Sequence, residues 1–383
     1  MKMRKRPQNK HNKPRLETAR AAIAATSLVV CLMLTVSGLS GGRLLSMGRG
    51  LAMLSAGIMQ PEGGAQMLCE RLSRIPAAQQ GDNRSEPVFL TTYTPGGGMQ
   101  TSGELSPLPK DISGVVPSEA GDGGKIVEIQ MTTGSNFIQG VAIKNGSSRT
   151  VDISSQLKIK PDIKITDSVN PQVLIMHTHT TECYMSYYAG YYNKSDESRS
   201  KDHTRNVVAV GEAICAQLRA ANIAAIHDVT VHDSPKYSGA YERSVQTVKK
   251  ILEQYPSISV VIDIHRDAIY KSKTERYKPT ITINGRKAAQ MMIIASVGNS
   301  AAVPHPNWQQ NLRFALRLQS ALHTQYTGIM RPLYIVDSRY NQHLTNGSLL
   351  IEVGADSNTV SEAVYSGEIL GKTLAQVLNT LKQ

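Results

Sequence analysis

The feature that most constrains the fold is an alternation of apolar runs and amphipathic segments that begins near Gln172. Uniformly apolar runs predict buried strands at Val173–Met176, Ile258–Ile264, Met291–Val297, Leu333–Val336 and Leu349–Val353. Segments with apolar residues every three or four positions predict helices at Asn206–Arg219, Tyr241–Tyr255, Trp308–Tyr326 and from a Thr359–Glu362 capping box toward Leu381. This order predicts an α/β fold with a mostly parallel twisted sheet and helices on both faces.

Ionisable side chains follow three of these predicted strands. His177, His179 and Glu182 come after the first strand. His265 ends the second, and Glu352 follows the aliphatic residues of the last. In open sheets of this kind, sites form at the carboxyl ends of the strands. Imidazole nitrogen and carboxylate oxygen suit Zn²⁺, and an ionisable group beside a buried strand costs free energy unless it is paired. The pattern therefore predicts a catalytic zinc site with an open coordination position.

The N-terminal part of the chain predicts a membrane anchor. Residues 1–20 carry eight Lys or Arg residues and one Glu, and the stretch Ala21–Gly42 has no charged residue. An uncharged stretch of this length can span a bilayer as a helix, and the basic tail before it predicts a cytoplasmic N-terminus with the rest of the chain outside. A cleaved signal peptide is the alternative, although no small-residue cleavage site is evident after the stretch.

Residues 43–125 predict a flexible extracytoplasmic linker. From about residue 61 the segment is rich in Gly, Pro, Ser and Gln, a composition that buries too little apolar surface to offset the entropy of ordering. A small irregular subdomain around Val88–Tyr93 is the alternative. The sequence thus divides into a basic tail (1–20), a transmembrane anchor (21–42), this linker, and a catalytic domain (126–383) whose core is 172–383.

The excess of positive charge does not indicate a nucleic-acid partner. Of the formal net charge of +12, the tail contributes +7, from eight basic residues and one acidic residue. With 3 Phe and 1 Trp, the chain lacks the basic and aromatic interleaving of nucleic-acid channels. The 4 cysteines form no C-x-x-C pair and predict no disulfide framework.

Several segments carry a resemblance to known families. Residues 263–268 (DIHRDA) and 350–358 (LIEVGADSN) look like the second zinc histidine and the catalytic glutamate of zinc-dependent N-acetylmuramoyl-L-alanine amidases, which cut peptidoglycan. Together with 177–182 (HTHTTE), 206–211 (NVVAVG) and 143–145 (IKN), they resemble the stage II sporulation protein P family of endospore formers. The resemblance covers about residues 138–383, and that family also has an N-terminal anchor and a long outward linker.

The resemblance implies an amidase-like fold, Zn²⁺ as the cofactor and peptidoglycan as the substrate. The implied reaction is hydrolysis of the bond between muramic acid and the first stem-peptide residue, with a second, endopeptidase activity on cross-links. It further implies work beside sporulation proteins D and M in engulfment during endospore formation. The implied location is the mother-cell membrane, with a single span and the catalytic domain facing the septal wall.

Carried over residue by residue, the resemblance implies His179 and His265 as zinc ligands. It implies Glu352 as the catalytic carboxylate, which takes a proton from water and returns it to the leaving amine. The amidases have Gly-His-Gly where this chain has Thr178-His179-Thr180, and their carboxylate ligand begins the next helix. The match is therefore not complete at the first ligand.

Three assignments remain open from the sequence. The third zinc ligand is either Glu182 or Asp202, which lies four residues before the helix that follows. His177 is either a ligand or a partner of one. Arg266 binds a substrate carboxylate or the tetrahedral oxyanion, or else forms a surface salt bridge.

Other classes of protein fit the sequence less well. Metallo-β-lactamase-like hydrolases also use His-x-His after a strand, but they need an Asp-His pair where this chain has Thr181 and Glu182. An amidohydrolase barrel needs about 250 residues, more than follow Gln172. A non-catalytic wall-binding scaffold would most simply have lost Glu352 or a histidine. A Cys183 or serine nucleophile has no elbow motif to support it.

Overall fold

The computed structural model describes residues 121–131, 137–298 and 304–382. Its strands are β1 (Gly124–Ile129), β2 (Phe137–Ile138), β3 (Val141–Asn145), β4 (Val173–Met176), β5 (Tyr191–Tyr192), β6 (Ala225–His227), β7 (Val260–Asp267), β8 (Tyr270–Ser272), β9 (Glu275–Ile283), β10 (Arg286–Ala289), β11 (Met291–Ser296), β12 (Leu333–Val336) and β13 (Gly347–Ala355). Its helices are α1 (Ile153–Lys158), α2 (Val207–Ala220), α3 (Ala240–Gln254), α4 (Trp308–Gln325) and α5 (Val360–Asn379), with a 3₁₀ turn at Gln342–Leu344. Every strand and helix predicted from the sequence is present, with ends that differ by a few residues.

The larger sheet carries the predicted strands. Its order is β2-β3-β12-β11-β13-β7-β4-β6. Neighbours are parallel except in the β2–β3 hairpin and at the β11–β13 pair, so the predicted mostly parallel sheet is confirmed. Strands β4, β7 and β13 lie side by side and run in the same direction. Their carboxyl ends therefore meet at one edge of the sheet.

Helices cover both faces of this sheet, as predicted. Along β4, Val173 and Ile175 belong to the apolar core that includes α2, α4 and α5, whereas Leu174 and Met176 pack with Val248 and other residues of α3. Successive side chains of a strand point to opposite faces, so this division follows from the pleat. A strand that is buried on both faces must be uniformly apolar, which is why β4 was recognisable in the sequence.

The N-terminal predictions fall mostly beyond the described residues. The basic tail (1–20), the anchor (21–42) and most of the linker (43–125) lie outside them. Within the described residues, no helix combines the length and the apolar character needed to cross a membrane. Among the described residues the first strand, β1, begins at Gly124, two residues before the predicted domain boundary. Strands β1 and β3 also precede the predicted core of residues 172–383.

A smaller sheet, which the sequence did not predict, is fixed to the start of α5. Its order is β10-β9-β1-β5, and β8 pairs with β9. Lys278 of β9 is only 1% exposed, and its Nζ lies 2.7 Å from Glu362 and 3.2 Å from Glu128. Since a buried ammonium is costly without partners, these ion pairs hold β9 in place. The insertion between β7 and β11 is thereby tied to the segment that follows β13.

We expect Phe314→Ala to destabilise the fold strongly. The Phe314 side chain on α4 is fully buried in the main core, and its removal costs burial and leaves a cavity, together about 3–5 kcal/mol. Phe137→Ala is the matched control, since Phe137 is 47% exposed, and its cost is expected to stay below about 1 kcal/mol. Urea unfolding of both variants measures the difference. Equal losses would contradict the position of the core.

Candidate active site

The turn after β4 is held by a buried carboxylate of β7. Asp263 Oδ1 accepts a hydrogen bond from the backbone N of Thr178 at 2.8 Å, and its Oδ2 accepts one from Thr178 Oγ1 at 2.6 Å. Asp263 is 5% exposed, so these bonds replace the water that the carboxylate has lost. They fix the path of the segment that carries His179 and Glu182 onto the end of β7.

His265 lies between two carboxylates. Its Nδ1 is 3.5 Å from Glu182 Oε2, and its Nε2 is 3.0 Å from Asp263 Oδ1. Burial alone would lower the pKa of His265, but the negative charges of Asp263 and Glu182 outweigh burial and raise that pKa well above its ordinary value. The two neighbouring carboxylates thus favour the protonated form of this ring.

Glu182 is held ionised in this cluster. Burial would raise the pKa of its carboxyl group, but the hydrogen bond to His265 and the charge of Arg266 outweigh burial and lower that pKa strongly. The backbone N of Arg266 also donates to Glu182 Oε2 at 3.1 Å. The sequence left the third ligand open between Glu182 and Asp202, and the fold brings Glu182 to His265.

His179 lies beside the same cluster, packed among aromatic rings. Its ring is nearly perpendicular to that of His265, with 5.2 Å between centroids. Tyr237 stacks on His179 at 4.3 Å, and Tyr241 meets it edge-on at 5.5 Å. The fold therefore brings together three residues that the sequence singled out as candidate zinc ligands, namely His179, Glu182 and His265.

Glu352 reaches the cluster from β13. It is the register partner of His265 across the β13–β7 pair. Burial raises the pKa of Glu352 well above its ordinary value, and the negative charge of Asp267 adds to the effect. Its Oε2 is buried and accepts no hydrogen bond from any described residue. Glu352 is thus a buried carboxyl group with a raised pKa and with one oxygen that accepts no hydrogen bond from the described residues.

Two of the predicted residues are used elsewhere. Asp202 is exposed, and its Oδ1 accepts hydrogen bonds from the backbone N and Oγ1 of Thr204. Arg266 is only 6% exposed, which rules out the surface salt bridge considered for it. The Nε of Arg266 donates to the carbonyl of Cys183 at 3.1 Å, and its Nη2 donates to the carbonyl of Ser198. In this structure its guanidinium group braces two backbone segments.

His177 forms a buried pair with a second histidine. Its Nδ1 lies 3.1 Å from the carbonyl of Ile264, and its Nε2 lies 2.9 Å from His227 Nε2. Burial, followed by the nearby charge of His227, lowers the pKa of His177 well below its ordinary value. Both ring nitrogens of His177 are therefore engaged away from Glu182. Gly211 makes room for the pair, because a Cβ there would stand 2.4 Å from His227 Nε2 and 2.8 Å from His177 Nε2.

Sequence reasoning missed several residues around the cluster. Asp263 had a usable signal, since it stands two residues before His265 and therefore on the same face of β7. Arg199, Asp233 and Tyr237 had none, because they belong to loops with no periodic pattern. Arg199 lies over the Tyr237 ring at 4.5 Å and bonds to Asp233 at 2.6 Å.

The donor atoms of this cluster have the chemistry that zinc requires. Two imidazoles and one carboxylate are offered by His179, His265 and Glu182. Asp263 lies 3.0 Å from one nitrogen of His265 and Glu182 lies 3.5 Å from the other, and carboxylates often stand behind metal-binding histidines in this way. Within the described residues, no group of three His, Cys, Asp or Glu side chains is arranged as a ready-made metal site.

Comparison with known proteins gives a family match. A model of the family described as stage II sporulation protein P matches residues 126–375. Stage II sporulation protein P of Bacillus subtilis strain 168 is 29% identical over 201 residues, which are 50% of this chain and 47% of that protein. The chain thus spans about half the length of the curated relative it matches.

Two solved amidases are similar at a low level. The CwlD amidase of Clostridioides difficile, solved in complex with the GerS lipoprotein, is 13% identical, with a TM-score of 0.35 over 55% of this chain and 98% of that chain. The apo form of the amidase Ami1 from Mycobacterium abscessus is 14% identical, with a TM-score of 0.33 over 55% of this chain and 99% of that chain.

We expect Gly211→Ala to lower the melting temperature. The added methyl group would collide with the buried His177–His227 pair, and this overpacking, about 1–3 kcal/mol, exceeds the gain of about 1 kcal/mol from better helix propensity. Gly190→Ala is the control, since nothing lies within 4 Å of a Cβ at that exposed position. Thermal unfolding of both variants tests this, and an unchanged melting temperature in Gly211→Ala would mean that the histidine pair is not packed as described.

Proposed function

The chain belongs to the stage II sporulation protein P family, and on that premise we propose that it is a zinc-dependent peptidoglycan hydrolase, an N-acetylmuramoyl-L-alanine amidase that acts in engulfment during endospore formation. The observation that supports this most directly is the position of His265. Its two nitrogens lie beside Glu182 and Asp263, and Glu352 stands opposite it on the neighbouring strand. A buried histidine between two carboxylates, next to a carboxyl group with a raised pKa, is an arrangement suited to metal-assisted hydrolysis.

His179, Glu182 and His265 would hold the zinc ion, and Asp263 would orient His265. Bound there, Zn²⁺ would polarise the scissile carbonyl and make water nucleophilic at neutral pH. Asp202, exposed and bonded to Thr204, is not needed in this ligand set. Neither is His177, whose ring nitrogens meet Ile264 and His227.

Glu352 would move the proton. In its ionised form it would accept a proton from the attacking water on Oε2, the oxygen to which no described residue donates. It would then give that proton to the nitrogen of the leaving amine, so that the amide is split into an acid and an amine. The raised pKa supports this double role, because burial and the negative charge of Asp267 make Glu352 hold a proton more readily than an ordinary carboxylate does.

Arg266 would act on the substrate only indirectly in this arrangement. Its guanidinium group donates to the carbonyls of Cys183 and Ser198, and its backbone N donates to Glu182. These contacts support a role in fixing Glu182 and the loop beyond it. A direct contact of Arg266 with a substrate carboxylate or an oxyanion remains a prediction from the sequence.

The remaining parts of the proposal concern the whole protein. We propose an uncleaved anchor at residues 21–42, an extracytoplasmic catalytic domain at the mother-cell membrane, endopeptidase action on cross-links, and cooperation with sporulation proteins D and M. The basic tail before an uncharged stretch supports the anchor. The family membership supports the site of action and the partners.

The sharpest test of the function is Glu352→Gln. The amide keeps the shape of the side chain but cannot accept the proton, so we expect stem-peptide release to fall by about 10²–10⁴-fold while zinc content and melting temperature stay as in the wild type. Glu368→Gln on α5, a carboxylate paired with Arg286 on β10, is the matched control and should leave all three quantities unchanged.

Three measurements separate the roles open to Glu352. Elemental analysis, thermal unfolding and muropeptide products are compared on the same preparations. A loss of zinc together with activity would make Glu352 a ligand. A loss of activity that only follows a loss of stability would make it structural, and retained zinc with retained turnover would falsify the catalytic assignment.

The zinc site itself is tested by His179→Ala and His265→Ala. Each removes an imidazole donor, so we expect zinc per chain to fall sharply in both variants. The controls are His323→Ala and His343→Ala. His323 lies on α4, where its ring meets that of Phe137 edge-on, and His343 lies in the 3₁₀ turn. Both variants should keep a full zinc content. Full zinc occupancy in both His179→Ala and His265→Ala would contradict the proposed zinc site.

A further inference from the structure

Arg199 is brought to the candidate active site by a short backbone pairing. Glu182 and Arg199 form an isolated antiparallel bridge, which sets the two side chains next to each other. The Nη2 atom of Arg199 lies 3.6 Å from Glu182 Oε1. A cation from the loop between β5 and α2 therefore stands beside the carboxylate proposed as a zinc ligand.

The guanidinium group of Arg199 is held in one position by its other contacts. Its Nη1 donates to Asp233 Oδ2 at 2.6 Å and to Thr181 Oγ1 at 3.3 Å, and its Cζ lies 4.5 Å above the centre of the Tyr237 ring. The Asp233 side chain is fully buried, so this anchor is rigid. An arginine fixed through one nitrogen and one face loses little further conformational entropy when it binds a ligand.

The Arg199 side chain remains partly exposed to solvent. The 3.6 Å between Nη2 and Glu182 Oε1 is longer than a hydrogen bond, and 36% of the Arg199 side chain is exposed. The arginines deeper in the site differ in this respect, since Arg266 and Arg331 are each only 6% exposed. Arg331 is also committed to Asp267 at 2.8 Å. Arg199 thus combines a fixed position with partial exposure of its side chain to solvent.

Building on the proposed function, we propose that Arg199 is a specificity-determining residue that binds a carboxylate of the stem peptide close to the scissile amide. A planar guanidinium group matches a carboxylate with two parallel hydrogen bonds. One residue of extended chain spans about 3.3–3.6 Å, so a cation this close to Glu182 reaches the first residues after the cleaved bond. The carboxylate that we assign to Arg199 is the α-carboxylate of a D-glutamate in the second position of the stem.

The test compares two muramoyl peptides that differ in one group. In one, the second residue is D-glutamate with a free α-carboxylate, and in the other it is D-isoglutamine, where that group is a neutral amide. For the wild-type chain we expect kcat/KM to favour the carboxylate by about 10-fold to 100-fold, the value of a charge-assisted hydrogen bond. In Arg199→Gln the preference should vanish, because kcat/KM for the carboxylate peptide falls by that factor more than kcat/KM for the amide peptide does.

A structural role for Arg199 gives a different result. If the residue only neutralises Asp233 and Glu182, Arg199→Gln should lower turnover of both peptides by the same factor, and that outcome would overturn the proposal. A wild-type chain with no preference, or a variant that keeps the preference, would overturn it too. Arg286→Gln is the matched control, since Arg286 on β10 is 58% exposed and paired with Glu368, and its preference should equal that of the wild type.

A second variant and a binding measurement test the role of Arg199 even if Arg199→Gln is unstable or the chain is inactive. If Arg199→Gln melts far below the wild type, Arg199→Lys keeps the charge but not the planar fork and should reduce the preference several-fold. Calorimetric binding of both peptides to the Glu352→Gln chain, with and without Arg199→Gln, gives the same comparison without turnover. If the wild-type chain releases no stem peptide, the proposed function fails. Binding still decides the role of Arg199 in that case, with equal affinity for the two peptides counting against it.

Discussion

The contacts of the buried Asp263 carboxylate join the two chain segments on which the candidate site depends. Asp263 accepts hydrogen bonds from the backbone N and Oγ1 of Thr178, and it lies 3.0 Å from Nε2 of His265. A carboxylate removed from water costs several kcal/mol unless such partners replace it. The turn after β4 and the ring of His265 are therefore fixed together, and Glu182 reaches Nδ1 of that ring as a consequence.

A second buried carboxylate organises the outer side of the site in a similar way. Asp233 accepts hydrogen bonds from the backbone N and Oγ1 of Thr181 and from Nη1 of Arg199. Tyr237 lies between Arg199 and His179, with a ring contact to each. The segment 177–182 is thus held at two points, by Asp263 near its start and by Asp233 near its end. This double attachment explains how a turn without regular structure presents His179 and Glu182 in fixed positions.

The predictable part of the site comes from the parallel sheet. Side chains at the carboxyl ends of β4, β7 and β13 must meet at one edge, and His179, Glu182, His265 and Glu352 do so. The smaller sheet was not predictable for a physical reason. Its strands are short or half-exposed, and β9 contains Lys278 and Pro279, so the local sequence does not read as a buried strand. Lys278 becomes a core residue only because Glu362 and Glu128 neutralise it.

The sequence by itself determined the α/β class, the parallel strands and the polar residues at their ends, because apolar periodicity is a local property of the chain. Tertiary structure alone decided which of those residues meet. Asp202 and Glu182 are both carboxylates that follow β4 in the chain. Glu182 lies beside His265, whereas Asp202 is exposed and accepts a hydrogen bond from the backbone N of Thr204. His177 is closer to the strand end than His179, but the pleat and Gly211 direct it to His227. Partners fifty or more residues apart leave no local pattern, so only the folded chain distinguishes a residue of the site from its neighbour.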